Sequence, residues 1–146
     1  MDKISKAEEY FLQGYACSQS VLMAHAEELG LDLETAKKIS SAFGGGMGRL
    51  RKTCGALTGA FMVIGMKYGN IDPKDLKTKL TAYDMVRELY KKFEEKHGTA
   101  ECKELLIKYA DAKSVEAKDH HKIICNSLVK DATNMLEEIF KGGQHE

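Results

Sequence analysis

Four cysteines, Cys17, Cys54, Cys102 and Cys125, are the residues of this chain best suited to chemistry. They lie far apart in sequence, yet each falls at or near the start of a segment that reads as a helix. A helix N-terminus stabilises negative charge, so a thiol placed there ionises more readily than a free one. The thiolate is the nucleophile of disulfide exchange and also a ligand of soft metals. Two chemistries are therefore open. One is reversible disulfide or electron-transfer chemistry; the other is a zinc or iron–sulfur site with all four sulfurs as ligands. A third reading treats the cysteines as small buried hydrophobes of a non-catalytic helical interaction module.

The local context ranks the thiols. Cys54 leads, because Thr53 reads as a helix N-cap and Arg49, Arg51 and Lys52 stand just upstream. Cys102 follows, with Thr99 marking the start of its helix. Cys17 comes after Gly14 with weaker start signals, and Cys125 is last, since a helix beginning at Asp119 places it past the first turn. On this ranking Cys54 attacks and Cys17 or Cys125 resolves the mixed disulfide. No Cys-x-x-Cys is present, which excludes a thioredoxin-type motif, the common zinc ribbons, covalent haem attachment and a ferredoxin-type run. Any shared site must be assembled from distant helices.

The segment GGGMGRLRK at 44–52 is the second feature. Backbone N–H groups of a glycine-rich turn before a helix can cradle an anion, and the cations help. Gly44, Gly45, Gly46, Gly48, Arg49 and Arg51 are thus the candidate substrate or anion loop. Neither the Walker A ending nor the Rossmann glycine spacing is present. Of five histidines, His120 and His121 precede Cys125 and read as a solvated helix start; none is placed by spacing as the partner of a given cysteine. His25 reads as a packed or surface residue and His97 as a helix terminus, while Met62, Met66, Met85 and Met135 sit at core spacing and read as packing.

Composition narrows the function classes. Lys plus Arg and Asp plus Glu are 22 each, so no net charge draws the chain to nucleic acid or to an anionic membrane. The longest apolar stretch, Gly55 to Met66, falls short of the ~20 residues that span a bilayer. The N-terminus lacks a secretory pattern, so a cytoplasmic location is expected. In that compartment cysteines are catalytic, redox-sensing or metal-binding more often than permanent staples. The partner is then a redox protein or a small-molecule substrate whose identity the sequence leaves open.

The elements that must position these residues follow the helical period. Helices are expected at 3–13, from about Cys17 to Gly30, after Asp32 to Phe43, at 54–68, at 73–96 with Pro73 first, at 100–110 and at 119–140. Residues 111–118 read as a loop and the KGGQHE tail as frayed. No segment alternates as a half-buried strand does. The expectation is one all-α domain over 1–146, a bundle of about six to seven helices around a central apolar helix at about 54–68. The long 73–96 helix leaves pairing with a second copy open.

The motifs resemble a known family. Cys17 with SQSVL, FGGGMG at 43–48, TCGALTGAFMVIGMKYG at 53–69, CKELL at 102–106 and CNSLVKDATNMLEEI at 125–139 are similar to the small redox-active proteins named for a C_GCAxxG_C_C pattern. The likeness runs from about residue 5 to 140. It implies a helical domain and a redox role for Cys17, Cys54, Cys102 and Cys125, with Gly55, Ala56 and Gly59 as motif positions. A related segment in a haem protein with a suspected iron–sulfur centre keeps the metal reading open. This chain departs from the name: Cys54 follows Thr53, not glycine, and Gly55 then Ala56 follow it.

Overall fold

The computed structural model describes residues 1–112 and 117–142, with side chains at 1–109 and 121–142. Among these, seven helices carry the fold: α1 (Lys3–Leu12), α2 (Cys17–Leu29), α3 (Leu33–Ser41), α4 (Gly55–Tyr68), α5 (Leu76–His97), α6 (Cys102–Ala112) and α7 (Ala117–Lys141). No strand is present among the described residues, and an isolated antiparallel bridge joins Thr53 to Glu101. The all-α expectation holds. No described helix is long and apolar enough to cross a membrane.

Local signals set most boundaries. Asp2, Asp32 and Asp75 cap α1, α3 and α5, their carboxylates accepting from the backbone N–H of Ser5, Thr35 and Thr78. Gly30 and Gly98 end α2 and α5 in the left-handed conformation that a helix C-terminus favours. Pro73 does not open α5; it lies in a turn held by Lys74 N–H donating to Asp72 Oδ1 at 2.9 Å, and the helix starts after Asp75. The expected loop at 111–118 is helical at its described ends, through Ala112 and from Ala117, while 113–116 lie outside the described residues. Of the tail, residues 143–146 lie outside them as well.

Two helices share the centre. α4 packs on α2, α5 and α7, as its apolar circumference predicts. α2 packs on α1, α3, α4 and α7 and is buried without interruption from Ser20 to Ala26. The central helix expected at 54–68 is therefore half of a pair. Small residues let the two axes approach. A Cβ added at Gly59 would lie 2.6 Å from Ser18 O, and one at Gly55 would lie 3.3 Å from Cys17 Cβ. Around them Leu22, Leu57, Ile64, Met85, Leu89, Phe93 and Leu136 are fully buried, each contributing roughly 1.5–3 kcal/mol. The apolar side expected for α5 narrows to Ala82, Met85, Leu89 and Phe93, and its N-terminal Leu76, Leu80 and Tyr83 face solvent. Met85 and Met135 pack in the core as expected, whereas Met66 is exposed near the end of α4.

Candidate functional site

The fold gathers the four cysteines. Cys17, Cys54, Cys102 and Cys125 line one small pocket with Gly45, Gly46, Arg51, Gly55 and His121. All four are free thiols and all are buried. Its volume is about 20 Å³, room for one water-sized body.

Three of the thiols stand at helix starts. Cys17 is the first residue of α2, Cys102 the first of α6, and Cys54 is itself the N-cap of α4. Thr53, expected as that cap, is instead drawn into the bridge with Glu101. The pairing continues on both sides. Cys54 N–H donates to Ala100 O at 2.9 Å, Cys102 N–H to Lys52 O at 2.6 Å and Lys103 N–H to Arg51 O at 3.2 Å. These bonds hold the entries of α4 and α6 side by side, and so bring two thiols 48 positions apart to one wall. They also explain why α6 begins at Cys102 and not at Ala100. Cys125 is the exception, lying in the interior of α7, which starts eight residues earlier at Ala117.

The glycine-rich segment forms another wall. Gly45, Gly46, Met47, Gly48 and Arg49 all have φ between 59° and 71°, and Arg51 has φ 61°. Such a left-handed run costs roughly 1–2 kcal/mol for each residue bearing a Cβ. Backbone bonds hold it: Gly48 N–H to Ala42 O at 2.8 Å, Arg51 N–H to Gly45 O at 3.2 Å and Lys52 N–H to Gly46 O at 2.9 Å. Gly46 is required by contact as well as by φ, because a Cβ there would meet Cys102 Cβ at 2.7 Å. The run carries Arg51 inward, and its Nη1 donates to Cys102 Sγ at 3.6 Å.

Burial and local charge compete at each sulfur, and the outcome reverses the ranking by helix position. Cys54 has the N–H groups of Ala56 and Leu57 to favour its anion, but burial wins and the thiol is pushed up to about 12. Cys102 is also raised by burial, against the opposing pull of Arg51. In the Cys17–Cys125 pair the two thiols hydrogen-bond, Cys17 is held protonated and Cys125 is lowered. His121 and Arg51 add to the lowering of Cys125, and His121 is raised in return by its hydrogen bond to that sulfur. A thiolate–imidazolium pair is the arrangement these shifts favour. The signal was available in the sequence: His121 and Cys125 are four apart on a helix, where side chains meet. His120 lies outside the residues whose side chains are described.

The remaining motif positions divide between packing and an outer space. Ala56 is fully buried and Gly59 seats α4 against Ser18, so neither lines the sulfur pocket. Gly44, Gly48 and Arg49 line a wider cleft of about 830 Å³, which shares Cys17, Gly45, Arg51 and His121 with the pocket. His25 is buried, with Nδ1 2.9 Å from Val21 O and Nε2 3.1 Å from Glu137 Oε1. His97 is more than a helix terminus: it is buried between Phe93 and Tyr109, with Nε2 3.1 Å from Asp131.

The donor type suits zinc or iron, but the geometry does not. Among the described residues no group of three or more His, Cys, Asp or Glu is placed to hold a metal ion. A multi-atom iron–sulfur cluster does not fit a space of about 20 Å³.

An all-helical fold that converges four free thiols on one pocket defines a thiol-bearing helical protein. The chain belongs to the family described as "Putative redox-active protein (C_GCAxxG_C_C)", whose sequence model matches residues 15–139. No significant match was found among curated proteins or among solved structures.

Proposed function

We propose that this protein carries out thiol–disulfide exchange, with Cys125 as nucleophile and Cys17 as resolving thiol. The observation that carries the reading is the hydrogen-bonded Cys17–Cys125 pair, in which Cys125 is the thiol lowered and His121 its cationic neighbour. The Cys125 thiolate attacks one sulfur of a disulfide, forming a mixed disulfide and expelling the other half as a thiolate. Cys17 Sγ then attacks Cys125 Sγ and expels the second half, which leaves with the Cys17 proton. The protein gives up two electrons and ends with a Cys17–Cys125 disulfide, while the substrate ends as one thiolate and one thiol. Cys54, favoured by its helix position, is assigned a supporting place beside Cys102, since burial keeps it protonated at neutral pH. Four free thiols are the form that a reducing cytoplasm maintains.

The test is a thiol count with peptide mapping. Mild oxidation should remove two of the four thiols, map the bond to Cys17 and Cys125, and be reversed by reductant. A Cys17→Ser variant should accumulate the mixed disulfide on Cys125. Four thiols that resist oxidation in the native protein would end the proposal. Stoichiometric zinc or iron in protein purified without oxygen would replace it with the metal reading.

A further inference from the structure

We propose that the cleft beside the sulfur pocket is the binding site for a small disulfide that carries carboxylates, the substrate class of the exchange reaction inferred above. The inference rests on that reaction and goes beyond it by naming what enters.

Size and access come first. The cleft holds about 830 Å³, within the range of sites for small organic ligands. Its inner wall is the outer wall of the sulfur pocket, since Cys17, Gly45, Arg51 and His121 line both. Cys17 and Cys125 are only 9% and 5% exposed, so the rim of a folded partner protein does not reach them. A small molecule in the cleft stands against Cys17, Arg51 and His121, which line it, and Cys125 lies directly behind them in the adjoining pocket.

Charge comes second. Arg49, Arg51 and His121 face this space, and no Asp or Glu does among the described residues. Arg49 has no carboxylate partner among the described residues. Tyr15 supplies an aromatic part of the lining, with the Lys37 ammonium 5.2 Å from its ring. A chain with balanced charge overall thus gathers cationic groups at one mouth, Arg49 among them without a carboxylate partner among the described residues. Guanidinium groups pair with carboxylates through two parallel hydrogen bonds, which fixes orientation as well as affinity. The left-handed backbone from Gly45 to Arg49 is what turns both arginines toward one space. Carboxylates held at that rim leave the S–S bond of the ligand free to point inward. There Cys125 Sγ bonds to one sulfur as the S–S bond breaks, one carboxylate-bearing half leaves as a thiolate, and the other leaves when Cys17 closes the protein disulfide. The protein supplies both electrons and the Cys17 proton.

The experiment measures reaction rates of the reduced protein with three probes: 5,5′-dithiobis(2-nitrobenzoate), which is anionic, 4,4′-dithiodipyridine, which is neutral, and cystamine, which is cationic. Each rate is divided by that of a free thiol under the same conditions, which removes intrinsic reactivity. The normalised anionic rate should exceed the neutral one at least tenfold, exceed the cationic one further, and fall with added salt. In Arg49→Glu and in Arg49→Gln, each checked for native helicity, the anionic-to-neutral ratio should drop by about tenfold and severalfold respectively. Equal normalised rates for the three probes, or a ratio unmoved in both variants, overturn the substrate class while leaving the exchange reaction standing. Failure of all three probes to react overturns both.

Discussion

His121 sits one helical turn before Cys125 on α7 and hydrogen-bonds to its sulfur, so each stabilises the charged form of the other. Together with the larger effect of the Cys17 hydrogen bond, this relationship selects which of the four buried thiols is anionic. Burial alone raises every one of them; only at Cys125 do a donor thiol, an imidazole and a guanidinium together outweigh it.

The alkylation rate of Cys125 should therefore plateau well below the ordinary thiol value of 9.0 and fall only as pH drops through its lowered value. His121→Gln should move that fall to higher pH and slow the reaction at neutral pH severalfold. Iodoacetamide labelling with peptide mapping reads each sulfur separately. Cys54, pushed up to about 12, should stay unlabelled at neutral pH.

Folding stability should decline in mild acid. Burial lowers both His25 and His97 below the ordinary imidazole value of 6.5, so the unfolded chain binds protons that the native state refuses. A group lowered in this way leaves stability intact above its unfolded value and erodes it as pH falls toward the folded one. Urea midpoints should be flat from pH 8 to 7 and drop from about 6.5 downward. The lowered carboxylates of Asp2, Glu8, Glu28 and Asp75 add their own loss only below about 4.5.

Two glycines of α4 should respond oppositely to the same substitution. Gly59→Ala places a methyl 2.6 Å from Ser18 O and 3.0 Å from Ser18 Cα, both backbone, and should cost about 1–3 kcal/mol. Gly65→Ala meets nothing within 4 Å and should gain roughly 0.5–1 kcal/mol from helix preference. Denaturant titrations of the pair distinguish close packing from a general intolerance of change in this helix.

Gly46→Ala should lose both stability and exchange activity. The new Cβ collides with Cys102 Cβ, and with Arg51 Cα and Lys52 N at 2.8 Å, in a residue whose φ is 71°. A loss of about 2–3 kcal/mol is expected. Thiol counting under native conditions should then show Cys102 more reactive, because its wall has moved.

Much of this was legible in the residues. The periods of α1, α2 and α3 give their places and apolar faces, and Asp32 and Gly30 give their ends. What was not legible depends on contacts between distant segments. Thr53 has every local mark of an N-cap, but its backbone is taken by Glu101, and the cap passes to Cys54. Leu76, Leu80 and Tyr83 have helical spacing but lie on a stretch of α5 that faces solvent. The order of thiol acidity failed for a similar reason: dipole and charge can be read along the chain, whereas the burial that outweighs them at Cys54 exists only after folding. His121, four residues before Cys125 on one helix, is placed beside that sulfur by helical spacing alone.

Cys17 opens the second helix and Cys125 lies inside the last, so a bond between them would clasp roughly three-quarters of the chain into a single ring. Closing a ring of about 100 residues restricts the denatured ensemble enough to contribute about 4–5 kcal/mol in the chain-entropy account. The oxidised and reduced forms would then share nearly the same shape yet melt at well-separated temperatures, and calorimetry alone would report which one a sample contains.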